Sequence, residues 1–240
     1  LNKIQNLVYE IQSDSDVKLL YDILCNSKLK IKITKLKIKI TNDVNELNLS
    51  SFNDITNLTL KTYGYNDKLS TITLPPNLTE ICDDFLFNCN CLREVKLPDG
   101  LTSIGDRFMV NCTALNNIAL PDGLTTIGSN FMNECTALNG ITLPDGLTTI
   151  GSNFMNGCTT LNNIELPDGL TSIDNGFMNG CTTLNNIALP DGLTTIGDDF
   201  LCECEELREI KLPDGLTSIG NSFMNKCTAL NGIKLPKGLT

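Results

Sequence analysis

Histidine is absent from all 240 residues, which removes the usual general base and the commonest metal ligand. The side chains still able to do chemistry are cysteines, paired carboxylates and a lysine-rich run. Seven of the 11 cysteines recur at one interval: Cys89, Cys112, Cys135, Cys158, Cys181, Cys204 and Cys227. In a stacked array such neighbours lie roughly 5 Å apart, within disulfide range, yet their side chains run parallel instead of facing each other. They are therefore expected as small apolar core residues. Cys82, Cys91 and Cys202 fall outside the series, and Cys89/Cys91 or Cys202/Cys204 are too close in sequence for ordinary zinc spacing. Asp83-Asp84, Asp198-Asp199 and Glu205-Glu206 are adjacent acids of the kind that sit solvated on loops. Near-identical repeats also work against catalysis, which needs unlike groups converging on one point. No metal, cofactor or catalytic residue is expected, and the chain is read as a non-enzyme.

The interval that spaces the cysteines organises most of the chain. Leu-Pro pairs begin at Leu74, Leu97, Leu120, Leu143, Leu166, Leu189, Leu212 and Leu235, a 23-residue period without insertion. Such a period is the mark of a solenoid, in which no repeat buries its apolar faces alone and neighbours do so by stacking. In residues 92–115, Val95 and Leu97 alternate with charged neighbours as a short strand does. Pro98-Asp99-Gly100 then makes a turn, with Pro expected at its first corner. Leu101-Thr102-Ser103-Ile104 is a second extended piece, and Gly105 is expected to stop it by taking positive φ. Phe108, Cys112 and Leu115 are spaced as one face of about two helical turns, with Asp106, Ser129, Ser152, Asp198 and Asn221 at the capping position. Stacking at about 4.8 Å would align Ile104 with Ile127 and form a phenylalanine column from Phe85 to Phe223. Met109, Met132, Met155, Met178 and Met224 are expected as packing residues beside it.

The extended motif Cys-x-x-Leu-x-x-Ile-x-Leu-Pro-x-x-Leu-Thr-x-Ile-Gly-x-x-Phe, as it runs from Cys112 to Phe131, resembles the BspA-like (Treponema pallidum type) leucine-rich repeat class. The likeness covers residues 69–240. Pro stands where plant and animal repeats place Asn or Cys after the leucine core, so no Asn ladder is expected there. The resemblance implies a leucine-rich repeat solenoid of short parallel strands stacked every 23 residues, with short helical or 3-10 turns on the other side. It also implies an adhesin-like surface or secreted protein that binds host or matrix proteins.

The first third is less regular. Ile4, Leu7, Val8 and Ile11 form one helical stripe, and Val17, Leu20, Tyr21 and Leu24 form another after the capping cluster Ser13-Asp14-Ser15-Asp16. Lys28-Leu29-Lys30-Ile31-Lys32-Ile33-Thr34 is then copied as Lys35-Leu36-Lys37-Ile38-Lys39-Ile40-Thr41. The alternation is that of strands, and the seven-residue shift demands a bulge or turn at Thr34-Lys35. The lysines read either as a basic patch for anionic lipid or nucleic acid or as guards of an exposed edge strand. The expected organisation is an α/β cap at 1–43 with two short helices and Lys-rich strands, degenerate repeats at 44–73, and seven full and one partial regular repeats at 74–240.

Formal charge is −10; residues 1–41 hold eight lysines against four acids, a net of +4, so residues 42–240 carry −14. An acidic array argues against nucleic acid, since phosphate binding needs basic surface. No apolar run reaches the length of a membrane span. What remains for function is the outward face of the first strand: Arg93 and Lys96; Asn116 and Asn117; Asn139 and Thr142; Asn162, Asn163 and Glu165; Asn185 and Asn186; Arg208 and Lys211; and Lys234. These are the expected contacts of a protein partner. The favoured site of action is the cell surface or outside the cell. An intracellular, cytoplasmic scaffold or effector using the same face stands against it on the many unpaired cysteines, and a spacer or stalk is a third possibility. The chain stops at Thr240, six residues into a further repeat, as a fragment of a longer protein would, and that open end could pair with a second copy.

Overall fold

The computed structural model describes residues 6–22, 33–41, 44–62 and 66–239. It is a parallel β-solenoid with little helix, in which two ladders of short strands run side by side; in the first ladder the last described strand is Gly140–Thr142, with a single bridge between Glu165 and Ala188 beyond it. The pairing offset is the sequence period: Thr126-Ile127 pairs with Ser103-Ile104 on one side and Thr149-Ile150 on the other. In the first ladder Gly140–Thr142 pairs with Asn117–Ala119 in the same way. The buried columns are Ile104, Ile127 and Ile150 in the second ladder, Val95 and Ile118 in the first, and the leucines between. Six successive phenylalanine pairs from Phe85 to Phe223 stack with ring centroids 5.2–5.6 Å apart and planes within 16°. Each such ring contributes roughly 1.5–3 kcal/mol by burial, but only because its neighbours above and below are present.

The N-terminal region extends the second ladder. Strand β1 (Asn6–Ile11) pairs with β2 (Lys35–Ile40), which pairs with β4 (Asn57–Thr62); β3 (Glu46–Asn48) opens the first ladder. Segment 6–11 is thus a strand where a helix was expected. Leu7, Tyr9 and Ile11 alternate inward and face Leu36, Ile38 and Ile40, whereas Val8, counted in the helical stripe, is 62% exposed. The same few apolar residues satisfy a period of 2 or of 3.6, and the neighbouring strand decides. The second helix forms as α1 (Asp14–Tyr21), with the Asp16 carboxylate accepting the N–H groups of Gln12 and Ser13. The second lysine copy is β2, but it lies between two strands and β1 holds the edge, so Lys35, Lys37 and Lys39 do not guard one. Ile4, Leu24 and residues 28–32 of the first copy lie outside the described residues.

Local turns differ from expectation in informative ways. In the Pro-Asp-Gly turn the N–H of Leu101 donates to the Pro98 carbonyl at 3.2 Å, and Leu124 to Pro121 at 3.1 Å. Pro therefore opens the turn, and Asp and Gly fill its corners. The segment expected as two helical turns is a run of turns with alternating backbone hand: Arg107, Met109 and Asn111 have φ of 55°, 52° and 58°. Its N–H groups are spent between coils. Arg107 and Asn111 donate to Ser129 and Asn133 of the next coil, and Met109 donates to Phe85 of the previous one. A helix would satisfy the same groups internally and leave adjacent coils unstitched.

The residues expected as helix caps also work between coils. The Asp83 carboxylate accepts the Asp106 N–H at 2.9 Å, Asp106 accepts Ser129 N–H at 2.8 Å, and Asp198 accepts Asn221 N–H at 2.6 Å. Just before them, the glycine column is set by contact and not by positive φ. A Cβ on Gly128 would sit 2.5 Å from the Gly105 carbonyl carbon and 2.6 Å from the Asp106 nitrogen; one on Gly151 would meet Ser129 N at 2.5 Å. Asp174 occupies this column in a later coil. There the second ladder breaks: Thr149–Ile150 ends a seven-stranded sheet, and Ser172–Ile173 begins a new three-stranded one.

Candidate functional site

The cysteine column belongs to the core. Cys112, Cys135, Cys158, Cys181 and Cys204 are fully buried free thiols. Each donates its S–H to a carbonyl of the coil below, as Cys135 does to Met109 O at 3.2 Å and Cys158 to Met132 O at 3.3 Å. Burial pushes their pKa up, to about 12 for Cys181, so the nucleophilic thiolate is suppressed. Beside them Met109, Met132, Met155 and Met178 are fully buried too.

On the turn side Asp84 is clasped by Arg107 and, at 2.5 Å, by Lys61. The hydrogen bond from Arg107 holds its carboxyl down at about 2, with Lys61 adding to the effect against partial desolvation. The groups come from three successive coils, so this cluster ties the less regular coil that holds Lys61 to the regular array. Asn–Asn contacts add to it: Asn111 Nδ2 donates to Asn88 Oδ1 at 2.9 Å and Asn153 Nδ2 to Asn130 Oδ1 at 3.3 Å.

The opposite, strand side is where side chains are presented and left unburied. Along Leu-x-x-Ile-x-Leu the leucines and central Ile or Val point inward, so the intervening residues must face solvent. All of the expected contact residues do: Arg93, Lys96, Asn116, Asn117, Asn139, Thr142, Asn162, Asn163, Glu165, Asn185, Asn186, Arg208, Lys211 and Lys234 are exposed. Stacking aligns them in columns at about 5 Å intervals. The face is not uniform. An open depression of about 550 Å³ gathers Arg93, Lys96, Asn116 and Asn117 with Glu94 and Asp99. A second, of about 670 Å³, gathers Asn185, Asn186 and Arg208 with Glu206 and Glu209. Lys211 and Lys234 line a third of about 490 Å³ with Asp214 and Lys237. Asn139, Thr142, Asn162, Asn163 and Glu165 stand exposed on the stretch between.

Asp99 and Asp214 belong to this surface, although as turn residues they were not among the expected contacts. The signal was their place directly after Leu-Pro, at the rim of the same face, repeated at Asp122, Asp145, Asp168 and Asp191. The arrangement offers rows of amides bordered by charge, suited to many weak polar contacts with an extended partner.

The model of the BspA type leucine rich repeat region matches residues 60–174 and 148–240, with six copies. The chain belongs to the BspA-type leucine-rich repeat family. Solved structures of similar architecture include a leucine-rich repeat protein from Bacteroides ovatus, at 19% identity and TM-score 0.56, over 99% of this chain and 85% of that one. A leucine rich cell surface protein from Faecalibacterium prausnitzii matches at 19% identity and TM-score 0.52, over 97% of this chain and 88% of that one. A leucine-rich repeat protein from Eubacterium ventriosum matches at 14% identity and TM-score 0.56, over 100% and 88%. At these identities the likeness is one of fold. No curated protein matches the chain. This BspA-type chain has, among its described residues, no helix long and apolar enough to cross a membrane.

Proposed function

We propose that the chain is a non-catalytic protein-binding module of adhesin-like type, acting at the cell surface or outside the cell, with the first-strand face as its contact surface. The observation that carries this reading is the concentration of open depressions and exposed, unlike side chains on that face, while the turn side is consumed by bonds between coils. Family membership and the cell-surface description of the Faecalibacterium protein support it. The residues proposed to make contact run from Arg93 to Lys234 as set out above.

Ala119 and Ala188 are exposed in the middle of the face, so Ala119→Arg with Ala188→Arg adds bulk there without touching the core. That variant is expected to lose saturable binding to immobilised matrix or cell-surface preparations. Thr113→Arg, exposed on the turn side, should bind as the parent does. Equal binding by all three proteins refutes the reading. A second reading, an intracellular scaffold with the same face, is favoured by the ten described cysteines all being free thiols. Thiol titration of protein from its native source separates the two.

A further inference from the structure

We infer that the strand face takes a second copy of this chain, the two solenoids lying with parallel axes and their strand faces in contact about a twofold axis that runs along the stack. The inference rests on the strand-face reading and names a partner for that face. In one coil Glu94 and Lys96 flank the inward Val95, and five coils on Glu209 and Lys211 flank Ile210. All four charged residues are exposed, and none of them makes an ion pair among the described residues. Rotation about an axis parallel to the stack keeps each coil opposite its own copy and reverses the strand direction. The residue before the central Val or Ile then faces the residue after it. Glu94 meets Lys96 of the second copy, Lys96 meets its Glu94, and Glu209 and Lys211 exchange in the same way.

The coils between obey the same exchange. Asn117 meets Ala119, Gly140 meets Thr142 and Asn186 meets Ala188, in each case a larger side chain against a smaller one. Glu165, the one charge on this stretch, meets Asn163, whose amide is a donor for its carboxylate. Farther out, the long Arg93 and Arg208 side chains extend toward the rim residues Asp99 and Asp214 of the other copy. Glu206 lies 3.9 Å from Arg208 in its own chain. Arg93 and Lys96 balance Glu94 and Asp99, a mixture that suits no partner of one sign but complements itself when reversed. A twofold axis along the strands would instead set Glu94 on Glu209 and Lys96 on Lys211, like on like, which costs affinity. Seven coils about 4.8 Å apart and five strand residues about 3.3 Å apart give a patch of roughly 30 by 17 Å, about 500 Å² a side, the scale of a weak, reversible contact.

Sedimentation equilibrium of the purified chain from about 10 μM to 1 mM should show the mass rising from 26.2 kDa toward twice that value, and less so at high salt. Lys96→Glu with Lys211→Glu, and Glu94→Lys with Glu209→Lys, each set like charges against each other and should weaken self-association about tenfold or more, with circular dichroism unchanged. An equal mixture of the two variants restores opposite charges at both coils and should associate as the parent does. A chain with all four changes keeps the net charge; it should self-associate as the parent does and not associate with the parent. A parent that stays monomeric across the range, charge variants that associate as the parent does, or a mixture no tighter than its components would overturn the inference. If that happens while Ala119→Arg with Ala188→Arg still abolishes binding to cell-surface preparations, the second copy is ruled out and the strand-face reading stands. If that variant also leaves binding unchanged, both fall.

Discussion

Gly128→Ala is the sharpest test of how these coils are held together. The added methyl would lie 2.5 Å from the Gly105 carbonyl carbon and 2.6 Å from the Asp106 nitrogen, both backbone atoms. No rotamer change relieves that, because Cβ has no freedom of its own; one coil must move away from the other. The movement stretches the Gly128 N–H bond to Ile104 O, now 3.0 Å, and the Thr125 N–H bond to Thr102 O, now 3.3 Å. Two ladder bonds are worth about 1–3 kcal/mol, and overpacking adds about 1–3 kcal/mol, so a loss of roughly 2–6 kcal/mol is expected. The chain supplies its own precedent, since the ladder breaks at Asp174 in the same column. Cys82 is tolerated in that column because it stacks on β4, a longer strand that runs on past Leu58 instead of turning. Gly123→Ala is the control, its Cβ meeting Leu101 O at 3.5 Å and Asp99 O at 3.9 Å, both ordinary contacts, with an expected cost near that of a surface change, within about 0.5 kcal/mol. Asp174→Gly should do the opposite of Gly128→Ala and add about 1–2 kcal/mol by letting the ladder continue. Urea denaturation followed by far-ultraviolet circular dichroism measures all three. The reasoning fails if Gly128→Ala and Gly123→Ala shift the midpoint equally.

Other consequences can be checked on the same material. Asp84 is held at about 2 by Arg107 and Lys61; a depressed carboxylate stabilises the fold above its unfolded value near 4, and that stabilisation drains away as pH falls from about 4 to 2. With both cations about half exposed the amount is roughly 1 kcal/mol, and Asp84→Asn should flatten that part of the stability–pH curve. Thiol-specific alkylation read by mass spectrometry should mark the half-exposed Cys82 and Cys91 well before the buried Cys112, Cys135 and Cys158; equal rates would contradict the packing. Glu134 has φ of 59°, and Gly157 and Gly180 fill its column in the next two coils at 73°. Glu134→Gly should therefore stabilise by about 0.5–1 kcal/mol in the same denaturation assay. Phe154→Ala opens the ring stack on both sides and should cost about 3–5 kcal/mol.

The period, the phenylalanine and cysteine columns and the outward residues of the first strand were legible in the sequence because stacking places like on like. An invariant interval makes every core position a repeated letter. What the sequence did not disclose are the features that exist only between coils. Gly128 looks like any turn glycine until the coil below is in place, and then its lack of a side chain, not its conformational freedom, is what matters. Asp106 carries the signature of a helix cap because it precedes a 3.6-period stripe, yet its carboxylate serves Ser129 of the next coil. The stripe itself, Phe108, Cys112 and Leu115, is buried as a helix face would be, but the backbone beneath it alternates in hand to reach both neighbours. Segment 6–11 was misread for a related reason, since the partner strand β2 lies some thirty residues away and no local window contains it.

That division has a consequence for the surface. A side chain engaged between coils is fixed by the stack and cannot drift without loss of stability. On the turn side, Asp84, Asp106, Asn111 and the alternating N–H groups are so engaged. On the strand side the backbone makes the ladder and the outward side chains do not, so those positions vary without structural cost. This is where the chain carries Arg, Glu and Lys in two coils and Asn, Ala, Gly and Thr, with the single Glu165, in those between. Variation on a face that stability does not constrain, with one charged motif recurring at a fixed separation, is the pattern expected of a surface shaped by what it binds.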